Sequence, residues 1–281
     1  MPTAELNGVD LYYETIGTGP RLVLTHGSWT DGTGWVPAIA TLAGRFEVIT
    51  WDRRGHSRSQ AGQGPGSREE DAADLAALIE HLGEARVHLV GSSYGSTVVL
   101  TMLTHRPDLV ASVAVHEPPL LDLVEGTTDA AVAAAVRDAE REVGSVLALI
   151  DAGEHRAAAE RFIDQVAVGP GTWDALPGSM RNVLEANAPT FLDEQLDPTW
   201  RSIDAAALAA SSVPLMLTRG TDSPVWFHAV LAELARLLPA ARVEVIAGAG
   251  HIPHVTHTEQ WAATLLAFLD ELAPTSLREA T

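Results

Sequence analysis

An apolar run at residues 86–90 breaks at Gly91-Ser92-Ser93-Tyr94-Gly95, and helical spacing takes over at residues 97–105. A strand that passes straight into a helix through Gly-x-Ser-x-Gly leaves few architectures open, because so sharp a turn needs a packed strand before it and a helix to follow. The serine is pushed out of the sheet with its hydroxyl exposed and a helix N-terminus behind it. Ser93 is therefore a candidate nucleophile. Ser92, the rival, would be the last strand residue with its side chain turned into the sheet.

The chain on either side repeats the strand-helix alternation. Asn7-Gly8 within residues 6–14 is a type I′ hairpin signal. Residues 21–25 and 46–51 form short apolar runs without helical length and read as buried strands, separated by a helical stretch near residues 35–43. A helix is expected over residues 68–82, stopped by Gly83, and another strand over residues 109–115, closing on His116-Glu117-Pro118-Pro119. Such alternation calls for a mostly parallel sheet with helices on both faces.

Between residues 120 and 212 the pattern changes to alanine-rich helical segments, notably residues 129–142 and 155–167, with no strand signal. Alternation then resumes: strand 213–218, helix 224–238 with Ser223 as its N-cap and Pro224 at its first position, strand 241–246, and closing helix 258–272. The expected organisation is a core domain of residues 1–119 and 213–281, with residues 120–212 inserted as a helical cap.

In open parallel sheets, ligands bind beyond the carboxyl ends of the strands. His26-Gly27-Ser28, Asp52, Ser93, Glu117, Asp222 and His251 all fall at such ends. A serine hydroxyl needs a base to take its proton, and His251, on a glycine-flanked loop after the last strand, is placed to swing over Ser93. An acid must fix that imidazole. Glu117 and Asp222 are the two candidates, and either could instead cap a helix.

These motifs, His26-Gly27, Asp52-x-x-Gly55-x-Ser57-x-Ser59, Gly91-x-Ser93-x-Gly95 and Gly248-x-Gly250-His251, together resemble the α/β-hydrolase superfamily over the whole chain. The resemblance implies an acid after the strand at residues 213–218, three residues beyond a glycine. Here that position is Ser223, and Asp222 lies one residue early. A minority of the superfamily carries the acid one strand earlier, where this chain has Glu117. The run Val115-His116-Glu117-Pro118-Pro119 is similar to the acid segment of the fungal zearalenone lactonases, whose acid is a glutamate. Ser96-Thr97-Val98-Val99 and Pro253-x-x-Thr256-His257 resemble the same group. Glu117 is accordingly taken as the acid, with Asp222 as the alternative. The superfamily also implies an oxyanion hole from the backbone N–H groups of Ser28 and Tyr94. His26 is expected to buttress its loop rather than act as a base, and Asp52, Arg53 and Arg54 to form a loop-fixing salt-bridge set.

Trp29, Trp226 and Phe191 are expected to line the substrate pocket, which suits a small hydrophobic ester or lactone. A formal charge of −19 argues against nucleic acid as a partner, since phosphates need clustered Lys and Arg. There is no cysteine, hence no thiolate nucleophile and no disulfide framework, and a reducing, cytoplasmic setting is expected. No apolar run reaches the ~18 residues of a membrane span. Neither a nucleotide-binding glycine pattern nor a metal-ligand histidine pair on a helix is visible, so no cofactor and no metal are expected. A homodimer is left open. The expected activity is ester or lactone hydrolysis through an acyl-enzyme; the alternatives are C–C bond hydrolysis, cofactor-free perhydrolysis, or a small-ligand receptor with the same fold.

Overall fold

The computed structural model describes residues 2–83 and 86–272. Eight strands, β1 (Thr3–Leu6), β2 (Val9–Ile16), β3 (Arg21–Thr25), β4 (Glu47–Trp51), β5 (Val87–Ser92), β6 (Val110–His116), β7 (Leu215–Gly220) and β8 (Arg242–Ile246), form one sheet in the order β1-β2-β4-β3-β5-β6-β7-β8. The β1-β2 hairpin turns at Asn7 and Gly8, both at positive φ (48° and 78°), as its Asn-Gly signal predicts. β2 runs antiparallel to β1 and β4; every other pairing is parallel.

Successive side chains of a strand point to opposite faces, and both faces of this sheet are covered, so its central strands carry apolar residues on both faces. Val23, Leu89, Val113 and Leu217 pack in one core with residues of α2 (Arg68–Leu82), α3 (Tyr94–His105) and α10 (Val225–Leu237). Their neighbours Leu22, Leu24, Val90, Ala114 and Met216 pack on the other side with α1 (Val36–Leu42) and α12 (Thr258–Leu272). Each such Val, Leu or Met side chain, fully buried, contributes ~2 kcal/mol, so the alternation fixes strand register and helix placement together.

Between β6 and β7 the described residues form no strand. They build α4 (Ala130–Asp151), α5 (His155–Arg161) running into a π-helical turn (Phe162–Ala167), α6 (Thr172–Ala175), α7 (Gly178–Ala186), α8 (Ala188–Leu196) and α9 (Ala205–Ala210). These helices have a core of their own, including Val146, Ile150, Ile163, Trp173, Leu184 and Phe191, which closes over Trp29 from the loop after β3. A short helix, α11 (Pro253–Thr256), completes the chain between β8 and α12. None of the described helices is long and apolar enough to cross a membrane.

One expected cap differs. α10 begins at Val225 with Pro224 at the cap position and no side-chain cap hydrogen bond, and Ser223 is buried just before it. Pro224 sits at ψ 138°, outside the helical range, so the helix starts one residue later than its N1 preference suggests.

Candidate active site

The turn after β5 is as sharp as its sequence requires. Ser93 sits at φ 55°, ψ −127°, a region L-residues avoid at a cost of about 1–3 kcal/mol. Its N–H donates to the His116 carbonyl at 2.8 Å, and the Ser96 hydroxyl both donates to that carbonyl (3.0 Å) and accepts the His116 N–H (3.2 Å). Glycine is obligatory on each side. A Cβ at Gly91 would lie 2.6 Å from the Gly95 carbonyl, and one at Gly95 would lie 2.3 Å from the His26 carbonyl. The two glycines thus let α3 start directly against the end of β3, which brings the Ser28 loop beside Ser93. Ser92 is buried, as expected of a side chain turned into the sheet.

Glu117 follows β6 immediately and is fully buried. Its backbone is left-handed (φ 47°) although a proline follows, a conformation that the Glu117 N–H to Thr218 carbonyl bond (3.2 Å) helps hold. One carboxylate oxygen, Oε1, accepts the Gly220 N–H at 2.8 Å; the other, Oε2, meets His251 Nδ1 at 2.7 Å. Burial pushes this carboxyl up, but the adjacent His116 and His251 outweigh it and hold Glu117 at about 2. Glu117 is therefore a carboxylate at neutral pH. With Nδ1–H donating to it, the other ring nitrogen of neutral His251 carries a lone pair and can accept a proton.

Asp222 stands elsewhere. Its side chain is exposed and accepts from its neighbour Thr221 Oγ1 at 2.8 Å, while its N–H binds the Ala249 carbonyl at 2.9 Å. It does not meet His251, because β7 ends at Gly220 and the chain has already turned to the surface.

Ser93, Ser28, Tyr94 and His251 share the wall of a cavity of about 310 Å³. Tyr94 opens α3, so its N–H has no carbonyl one turn back to bond and is free for a ligand. The opposite wall comes from the helices between β6 and β7, through Val143, Leu147, Phe162, Val166 and Phe191, with Trp226 and Phe227 closing one side. The charged side chains among the described lining residues are Glu140 and Arg201, paired with each other at 3.1 Å; Arg201 also pairs with Asp122 at 2.7 Å.

Trp226 and Phe191 lie in this wall, but Trp29 does not. The left-handed backbone of Trp29 (φ 68°) carries its indole away from the cavity, and the fully buried ring packs against Phe162 and Phe191 at 5.0 and 5.1 Å. Phe227 escaped the sequence reading. It stacks on the His251 imidazole at 4.3 Å with planes 19° apart, and its only signal was the Trp226-Phe227 pair at the start of a helix. His116 was also missed; its Nε2 lies 3.5 Å from Glu117 Oε2, and burial holds the imidazole down at about 4.

The loop residues after β3 and β4 act as buttresses. His26 Nε2 accepts the Arg53 N–H (2.9 Å), which leaves Nδ1–H to donate to the Gly27 carbonyl (2.8 Å). Asp52 takes two hydrogen bonds from the Arg58 guanidinium and one from the Gly32 N–H (2.9 Å). Arg54 pairs with Glu70 and Asp74. The buried Arg53 pairs with Asp71 and Glu194.

His116, Glu117 and His251 bring potential metal-ligand atoms within 4.8 Å of one another. A cation there would have to displace the Nδ1 proton that joins His251 to Glu117. The arrangement as it stands suits proton transfer.

A family model for the alpha/beta hydrolase fold matches residues 20–258. The 2-(acetamidomethylene)succinate hydrolase of Mesorhizobium japonicum is 26% identical over 274 residues, covering 95% of this chain and 94% of that protein. The Uncharacterized hydrolase YraK of Bacillus subtilis is 35% identical, but over 126 residues, 44% of this chain and 46% of that protein. Among solved structures, the enol-lactonase from Burkholderia xenovorans superposes with a TM-score of 0.70 at 25% identity, covering 96% of this chain and all of that one.

Proposed function

This chain belongs to the α/β-hydrolase family, and on that premise we propose that it cleaves a neutral, apolar carboxylic ester or lactone through a covalent acyl-enzyme. The observation that carries the reading is the 2.7 Å contact between His251 Nδ1 and the buried Glu117 carboxylate, on a ring that shares an apolar cavity with Ser93. Ser93 Oγ attacks the carbonyl carbon as His251 Nε2 takes the hydroxyl proton. The negative charge on the carbonyl oxygen is held by the Ser28 and Tyr94 N–H groups, each typically worth ~3 kcal/mol to such an intermediate. His251 then gives its proton to the leaving oxygen. A water, deprotonated by the same nitrogen, attacks the acyl-serine, and the proton returns to Ser93 as the acid departs. Glu117 stays ionised throughout, fixing the tautomer and stabilising the imidazolium. The helices between β6 and β7 serve as the cap that supplies the acyl pocket.

The cavity supports the neutral substrate class. Arg201, the one guanidinium among the described lining residues, already answers two carboxylates, so a substrate carboxylate would enter an apolar wall uncompensated. Multiple turnovers of short p-nitrophenyl esters are expected, with kcat/KM at least ~10-fold lower for an ester whose acyl chain ends in a carboxylate. Tight stoichiometric binding without turnover would mark a receptor instead, and a preference for the anionic ester would refute the substrate class.

A further inference from the structure

The oxyanion hole of the preceding section needs two amides held in fixed directions, and the structure assigns that task to the buried pair Arg53 and Glu194, which we propose form a clamp on the Gly27–Ser28 peptide. This inference rests on the hydrolase reading and adds a positioning function to two side chains outside the triad.

A peptide unit is planar and trans, so its C=O and N–H point in opposite directions. Anchoring the Gly27 carbonyl therefore aims the Ser28 N–H the other way. That carbonyl accepts from His26 Nδ1 (2.8 Å) and Arg53 Nη2 (3.3 Å), with Thr30 Oγ1 at 3.4 Å. A cationic donor on the oxygen also polarises the N–H of the same peptide, strengthening it as a donor. On the other side of the peptide the Ser28 hydroxyl donates to Glu194 Oε2, and Glu194 Oε1 accepts from Arg53 Nη2. The same guanidinium lies 4.7 Å over the Tyr94 ring, so one buried cation touches both the Gly27–Ser28 peptide, through its carbonyl, and the residue that supplies the second amide. Arg53 Nη1 donates to Asp71 at 2.6 Å, and His56 Nε2 lies 3.1 Å from Nη2.

Glu194 reaches this place from α8, and the helix is seated along one stripe. Asn187, Phe191 and Glu194 are four and three residues apart and so share a face. Asn187 Nδ2 donates to the Trp29 and Thr30 carbonyls, each at 3.1 Å, and its Oδ1 accepts the Ser57 N–H at 2.9 Å. Phe191 lines the acyl cavity. Contact between the acyl chain and α8 is thereby linked through Glu194 to the direction of the Ser28 amide. Glu194 and Arg53 touch no reacting atom; they are positioning residues.

The test is a double-mutant cycle of Ser28→Ala and Glu194→Gln, read on a neutral p-nitrophenyl ester and on a trifluoromethyl ketone, which forms a tetrahedral adduct with the serine. Ser28→Ala keeps the amide and loses only the hydroxyl tether. Each variant is expected to lower kcat and ketone affinity together by about 10-fold, with KM within about twofold, because the interaction is strongest in the tetrahedral state. The double variant should lose little beyond Glu194→Gln alone, since both break one link. Unchanged kcat and ketone affinity in Ser28→Ala, or single losses that multiply in the double variant, would overturn the clamp. So would a lowered melting temperature with the ratio of ketone affinity to KM intact, which marks a purely structural pair. Should Glu194→Gln fail to fold, Ser28→Ala decides alone. These results count against the clamp only if Ser93→Ala is inactive; turnover by Ser93→Ala removes the clamp and the triad together.

Discussion

Replacing Ser93 with alanine is expected to lower turnover of short p-nitrophenyl esters by at least ~10⁴-fold, the scale on which serine hydrolases lose rate without their nucleophile. The effect should fall on chemistry and spare the fold. Alanine keeps the N–H that donates to the His116 carbonyl, and Ser93 is a half-buried residue of the cavity wall. The residual rate should come from the amides and the cavity alone, which still bind and polarise the ester. A melting temperature within a few degrees of the parent, beside a collapsed kcat, would separate loss of the nucleophile from loss of structure. Retention of most of the activity would remove Ser93 from the mechanism.

The second large effect distinguishes two carboxylates. Glu117→Gln is expected to cost ~10³–10⁴-fold in kcat, because an amide in place of the carboxylate no longer enforces the Nδ1–H tautomer and cannot offset the imidazolium. Asp222→Asn should stay within about twofold of the parent, as befits an exposed side chain whose described partner is Thr221. The reverse ranking would move the acid to Asp222. Stability should also report Glu117. Its folded-state pKa of about 2 lies below the ordinary 4.5, so its charge stabilises the fold above pH 4.5, and that contribution fades as pH falls from 4.5 towards 2. The contribution at neutral pH is on the order of 3 kcal/mol. In acid denaturation, the stability difference between parent and Glu117→Gln should therefore shrink as pH falls across that window.

Much of the fold was legible because its signals are local. The nucleophile turn, the Asn-Gly hairpin and the apolar runs each depend on a few consecutive residues, and the sheet follows from their alternation. The helix starts were less so: Pro224 reads as a first helical residue, yet its ψ leaves it outside α10. Which carboxylate stands behind His251 depends on how far β6 and β7 extend. The pairing of His116 with Thr218 puts Glu117 at the end of the ladder, whereas β7 runs on to Gly220 before Asp222 turns outward.

Pocket residues were hardest to assign, because aromatic character says nothing about backbone handedness or helix phase. Trp29 carries a positive φ that no residue type in its neighbourhood announces, and its indole turns under Phe162 and Phe191. Phe227 reaches His251 because of the rotation of α10 against the loop after β8, a relation between segments. Glu194 is more remote still. It lies 141 residues from Arg53 in sequence, in the stretch without strand signal between β6 and β7, and only the packing of α8 shows that they meet.

The covalent intermediate is the point on which the mechanism stands, and it can be weighed. Mixing the protein with excess p-nitrophenyl acetate and quenching in acid within the first turnovers should give a burst of nitrophenolate approaching one per chain. Intact mass should rise by one acetyl group, and peptide mapping should place it on Ser93. Turnover with the acetyl group on another residue, Ser93 staying unmodified, would show that hydrolysis does not pass through Ser93.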